Sequence, residues 1–153
     1  MSARLIITIP GNPWDGAINR RDGARVAWER GKPTARIYKT KAYVERQDLA
    51  IEHIRQAVLE QHAAFYNGPV VVWATWWLDR RSHQHGLPSW CPAADVDGPG
   101  KCHLDALRAT IKRDSQIIPG GGAMADDVQV MELHQSKRVG TPRAVLVVAR
   151  MPC

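Results

Sequence analysis

Nine consecutive residues, Val70-Val71-Val72-Trp73-Ala74-Thr75-Trp76-Trp77-Leu78, carry no charge and are rich in β-branched and aromatic types. The run is far shorter than the roughly 20 apolar residues of a spanning helix. It predicts a central strand of a sheet, covered on both faces. With 153 residues, the chain has room for one domain with a real core around such a strand.

Other elements follow from period and breakers. Ala3 to Ile9 reads as a strand, stopped by Pro10-Gly11-Asn12-Pro13. Residues 14 to 35 show no period and read as a long loop with room for a short hairpin. From Thr40 to Phe65 the spacing of Val44, Ile51, Val58 and Phe65, widened by Ile54 and Ala57, predicts an amphipathic helix. Asn67-Gly68-Pro69 should end it. Residues 79 to 94 read as a polar loop. Residues 99 to 112 read as a second helix, with Pro99 in its first turn and Leu104, Leu107 and Ile111 on one face. Residues 114 to 125, with Gly120-Gly121-Gly122, read as a flexible loop. Val128 to Leu133 and Arg143 to Ala149 read as strands joined in a hairpin through Gly140-Thr141-Pro142. The expected fold is one α/β (α+β) domain over 1–153, with a mixed sheet and two main helices.

Charge is concentrated. Residues 20 to 46 hold nine basic groups (Arg20, Arg21, Arg25, Arg30, Lys32, Arg36, Lys39, Lys41, Arg46) against Asp22, Glu29 and Glu45. Their excess equals the whole net charge of +6. A localised basic block points to a polyanion, most often nucleic acid; the bland alternative is a solvated basic loop. Cys91, Cys102 and Cys153 form an odd, sparse set, which is no disulfide framework and suits a reducing compartment. Met1-Ser2-Ala3-Arg4 leads into a short strand rather than an apolar leader. A cytoplasmic protein with no membrane association is expected.

The chemically loaded segment is Asp95-Val96-Asp97-Gly98-Pro99-Gly100-Lys101, followed by Asp105 and then by Asp126-Asp127. Two carboxylates two residues apart share a side of an extended segment. Lys101 and Asp105 are one helical turn apart. Clustered carboxylates raise one another's pKa, so such a group usually gathers a hard cation. Mg²⁺ takes a few carboxylate oxygens and keeps its waters; it can then polarise a phosphoryl oxygen and activate water. A lysine beside it can steady developing charge. On spacing alone, ordinary surface acids with a helix N-terminal charge preference are the commoner reading.

The whole string, Pro92-x-x-Asp95-x-Asp97-x-x-x-Lys101-x-x-x-Asp105-Ala106-Leu107 and then Asp126-Asp127-x-Gln129-Val130, resembles the RusA-type Holliday junction resolvases. Pro10 and Pro13, Arg36-Ile37-Tyr38-Lys39-Thr40 with Tyr43, and Arg80-Arg81-Ser82-His83 add to the resemblance, which spans nearly the entire chain. It implies a homodimer that binds four-way DNA junctions and makes paired nicks with Mg²⁺, or with Mn²⁺ in its place. By that resemblance Asp95, Asp97 and Asp127 would hold the metal, with Lys101 as the essential lysine. Asp105 and Asp126 would support the site, and Arg20, Arg21, Arg25, Arg36, Lys39, Lys41, Arg80 and Arg81 would meet DNA. Two departures stand out. Gly98 occupies the place of the family's usual Asn, and the connection from Thr110 to Ala125 is longer than usual.

Other readings are weaker. His83, His85, Cys91, Cys102, His103 and His134 match no closed zinc spacing and read as exposed polar loop residues. Gly98-Pro99-Gly100-Lys101 lacks the first glycine and the Ser/Thr of a phosphate loop. Trp73, Trp76 and Trp77 read as core or dimer interface, and Val70 to Val72 also suit dimer contact. Trp14, Trp28 and Trp90 fall in loops, where one could stack on an unpaired base. The competing functions are a junction-binding protein with weak or lost cleavage, and a metal-dependent enzyme on small phosphorylated substrates. The four-residue set argues against the first, and the concentrated charge against the second.

Overall fold

Strict alternation of burial along Leu5–Pro10 (β1) puts Leu5, Ile7 and Ile9 in the core and leaves Ile6, Thr8 and Pro10 outside. The structure, a computed structural model, describes residues 4–16, 22–79 and 98–152. A short 3-10 turn at Pro13–Gly16 buries Trp14. It is followed by β2 (Asp22–Glu29), β3 (Lys32–Lys39), α1 (Lys41–Glu60), β4 (Val70–Leu78) and α2 (Gly100–Leu107). Next come β5 (Thr110–Arg113), β6 (Gln116–Pro119), a 3-10 turn at Asp127–Gln129, β7 (Val130–Val139) and β8 (Arg143–Arg150). The main sheet runs in the order β1-β8-β4-β7, while β2-β3 and β5-β6 are separate hairpins. β4 is parallel to β7 and antiparallel to β8. The architecture is α+β, one compact domain with a mixed sheet and two helices.

The apolar run forms β4 as expected, but among the described residues the helices cover one face, and the other is closed only in part: Val71 is buried there and Thr75 and Trp77 are half-buried. Val70, Val72, Ala74, Trp76 and Leu78 join the core with Ala50 and Ile54 of α1 and Ala106 and Leu107 of α2. On the other face Trp73 is 38% exposed. Both described helices contribute to the same face, so no described helix lies above the alternate residues of the run.

Thr40 caps α1, its hydroxyl accepting from Tyr43 N at 3.4 Å. The buried face is Tyr43, Arg46, Gln47, Ala50, Ile51, Ile54 and Ala57, rotated from the expected stripe. The helix stops at Glu60, well before Asn67-Gly68-Pro69. His62 takes a left-handed φ of 48°, its N–H bonds Leu59 O at 3.2 Å, and Ala63 N bonds Val58 O at 3.0 Å. This is a Schellman ending without a glycine. The Gln61 side chain then bonds both Ile6 N (3.0 Å) and Ile6 O (2.5 Å), closing part of the open edge of β1.

Four further expectations are corrected. Within residues 14 to 35, the described ones are ordered into the buried turn and most of a hairpin, which is longer than the short one expected inside a loop and sets Arg25 opposite Arg36 in register. The second helix ends at Leu107, because Arg108 is extended (φ −67°, ψ 156°) and Thr110 and Ile111 enter a strand. Residues 114 to 125 are not a flexible loop either. After the β5-β6 hairpin, Gly121 N bonds Ala106 O at 2.8 Å, and a Cβ on Gly121 would lie 2.4 Å from Ile54 Cγ2. The glycines lock the end of α2 against α1. Finally, β7 and β8 are not a hairpin, since β4 lies between them. The connection crosses the end of β4, with Gly140 N bonded to Leu78 O at 2.7 Å. A Cβ on Gly140 would lie 2.7 Å from the Trp77 ring. Among the described residues no helix is long and apolar enough to cross a membrane.

Candidate functional site

The N-terminus of α2 is fixed from beneath. His103, fully buried, is 2.7 Å through Nδ1 from Pro99 O and accepts at Nε2 from Arg46 Nε at 3.1 Å. Arginine can only donate, so the imidazole proton sits on Nδ1 and points to the Pro99 carbonyl. Arg46 continues to the carbonyls of Pro10 and Ile9. Burial, and then the nearby guanidinium, push His103 down to about 3. Burial likewise lowers Arg46 to about 10, against the partial negative influence of Cys102 and Asp15. This neutral imidazole ties β1, α1 and α2 together beneath the first turn of α2.

On that helix Lys101 and Asp105 are one turn apart, and Lys101 Nζ donates to Asp105 Oδ1 at 2.8 Å. The same ammonium donates to Asp127 Oδ2 at 2.9 Å across 26 residues. Asp126 caps the 3-10 turn, accepting from Val128 N at 3.2 Å. Gln129 completes a capping box: its Oε1 accepts from Asp126 N at 3.0 Å and from Ala125 N at 2.8 Å. Its Nε2 donates to Tyr66 O and Gly68 O, both at 2.9 Å. Gln129 therefore pins the Asp126-Asp127 turn to the segment just before β4.

Arg108 closes the cluster. Its Nη2 is 3.1 Å from Asp126 Oδ2, and its Nη1 is 3.8 Å from Asp105 and 3.9 Å from Asp127. Burial opposes charge on Asp127, but the hydrogen bonds from the Asp126 side and from Lys101, with the charges of Lys101 and Arg108, win and lower its pKa. For Lys101 burial again opposes charge; the hydrogen bonds and charges of Asp105 and Asp127 outweigh it and raise the pKa. Two cations against three carboxylates leave one negative charge among these five residues.

Of the expected site, Lys101, Asp105, Asp126 and Asp127 are brought together. Asp95 and Asp97 lie outside the described residues, as do Arg20, Arg21, Arg80, Arg81, Trp90, His83, His85 and Cys91. Lys39 Nζ stands 5.9 Å over the Tyr43 ring, and exposed Lys41 is 3.6 Å from Glu45. Cys102 and His103 are buried in α2, not exposed loop residues, because the helix turns them onto Gly16 and Trp76. Burial pushes the Cys102 thiol up to about 12. Arg46, Arg108 and Gln129 were missed as organisers. Only Gln129 left a signal in the sequence, the Asp-x-x-Gln spacing of a capping box.

Carboxylate oxygens are the hard donors Mg²⁺ prefers, so Asp127 is chemically suited to the expected ion. Among the described residues, however, no three carboxylate, imidazole or thiolate groups converge on one point. A magnesium site here would need Asp95 and Asp97. No family model matches the chain, and no curated protein matches it.

Proposed function

We propose that the protein is a Mg²⁺-dependent endonuclease of branched DNA that resolves four-way junctions by paired nicks. The observation that supports it most is the Lys101 ammonium held between Asp105 and Asp127, four residues beyond Asp97 in the chain. Asp95, Asp97 and Asp127 would hold the ion. When bound, it would polarise a phosphoryl oxygen and lower the pKa of a bound water.

The chain's own residues do the rest. Lys101 stays protonated beside its two carboxylates and is partly exposed, so it can meet a phosphate oxygen and steady charge on it. Asp105 aims Lys101. Arg108 and Gln129 hold Asp127 in place. The basic block, from Arg25 and Arg36 in the hairpin to Lys39 and Lys41 at the start of α1, offers the phosphate contacts. Two nicks need two sites. We assign the outer face of the sheet to a second copy: Ile6 and Trp73 lie open there, bordered by Glu132 and His134 on one side and Arg143 on the other.

One observation favours a second reading, junction binding with weak or lost cleavage. Asp127 and Asp105 are already paired with cations, as in a cluster that needs no metal. A gel assay separates the two: purified protein with a mobile four-way junction, a duplex and a single strand, with and without Mg²⁺. Paired nicks only with Mg²⁺ and only on the junction support the first reading. Retarded but uncut junction supports the second.

A further inference from the structure

Among the described residues the strands of the β2-β3 hairpin pair with neither of the other sheets. Its turn is two residues, Arg30 and Gly31, with φ of 50° and 76°, the positive pair of a tight hairpin turn. A Cβ on Gly31 would meet nothing within 4 Å, so the tip stands in open space. Next to it Trp28 is 76% exposed and Val26 74%. Arg30, Lys32 and Pro33 are exposed as well. Alternate cross-strand pairs are Ala24–Ile37, Val26–Ala35 and Trp28–Pro33, all apolar; the pairs between them include Arg25–Arg36 and Glu29–Lys32. Trp14, by contrast, is buried in the core.

An indole this exposed, at the end of a hairpin and beside cations, is unfavourable for the isolated fold. The charge of the hairpin says what would cover it. Residues 22 to 39 carry five basic residues, Arg25, Arg30, Lys32, Arg36 and Lys39, against Asp22 and Glu29. An apolar protein surface would offer this positive excess no counter-charge. A nucleobase offers a π-face for Trp28, and its flanking phosphates offer the counter-charge. Bases inside a duplex are stacked on one another, so the available faces are those at a branch point or in a single strand.

We propose that the hairpin tip is a stacking site for unpaired bases: Trp28 lies against an exposed base, and Arg30 and Lys32 take the adjoining phosphates. This rests on the nucleic-acid reading above and adds to it the part of the DNA that is recognised. It makes branch-point geometry, rather than base sequence, the basis of selection.

The test compares wild type with Trp28→Ala and Trp28→Tyr on a four-way junction and a duplex of equal length at the same salt. A 2-aminopurine base is placed at the branch point. Trp28→Ala should weaken junction binding roughly tenfold while duplex binding changes less than about twofold. Trp28→Tyr should restore most of the affinity. Wild type should change the 2-aminopurine fluorescence and Trp28→Ala should not. Equal losses on both DNAs, or no loss, would overturn the stacking site while leaving the nuclease reading intact. A shift from dimer to monomer with Trp28→Ala in sedimentation would give the strip to a second copy instead. Wild type that retards no nucleic acid would sink both readings.

Discussion

Lys101 Nζ lies 2.9 Å from Asp127 Oδ2, and this contact joins the first turn of α2 to the turn that precedes β7. Its dependence on pH follows from the two shifts. Asp127 is lowered in the fold, so its contribution is present above the ordinary carboxylate range and lost as pH falls through the lowered value. Lys101 is raised, so its contribution is present below its ordinary value and lost as pH rises through the higher one. Both ends are partly exposed, so the pair contributes at most about 1 kcal/mol. Asp127→Asn should remove its own share of the acid-side loss of stability in urea titrations from pH 2 to 7. An unchanged profile would show that the contact carries no stability.

Asp97→Asn should abolish Mg²⁺-dependent nicking and leave junction binding within a few-fold. Without metal its melting temperature should be equal or higher, because on the proposed site one charge of a repelling set is removed. A large fall in melting temperature would make Asp97 a structural residue.

His103 gives the acid sensitivity a second source. The buried imidazole is neutral down to about 3, whereas the unfolded chain protonates it near 6.5. The unfolded state therefore binds more protons between those values, and stability declines as pH falls through that window, by up to about 1.4 kcal/mol per unit. His103→Asn, whose amide can still reach the Pro99 carbonyl, should flatten this slope. A slope identical to wild type would contradict the buried neutral tautomer.

Gly121→Ala should destabilise by about 1–3 kcal/mol, since the new methyl meets Ile54 and the Ala106 carbonyl. Gly68→Ala, with nothing within 4 Å, should be nearly neutral. Two equal melting temperatures would show that the glycine run is not packed as described.

If the outer face of the sheet meets a second copy as proposed, Trp73→Arg should shift the protein from dimer to monomer in sedimentation without unfolding it, because Trp73 is partly exposed on that face. Persistence of the dimer would move the interface elsewhere.

The sequence spoke most plainly where burial is unbroken. β1, β4 and β8 matched the expected strands closely, because apolar residues recur there at period two or without interruption. β7 ran on past Leu133 through His134 to Arg138, polar residues suited to the edge of a sheet and silent to a search for apolar runs. The end of α1 was hidden because His62, not glycine, takes the left-handed position. The β5-β6 turn was hidden because Asp114 and Ser115 do so (φ 45° and 68°). At the site, Lys101, Asp105, Asp126 and Asp127 were legible as a motif. Arg46 and Arg108 were not, since their work is done by reaching across the fold, which no local pattern records; Gln129 left only its capping-box spacing.

The place of β8 has a consequence for how the sheet assembles. It follows every other described strand in the chain, yet it stands between β1 and β4. Those two earlier strands cannot zip to each other, and each keeps an unsatisfied ladder until β8 arrives. The slow, cooperative step of folding should therefore be the docking of this late strand, and nascent chains that lack it would be exposed to edge-to-edge association.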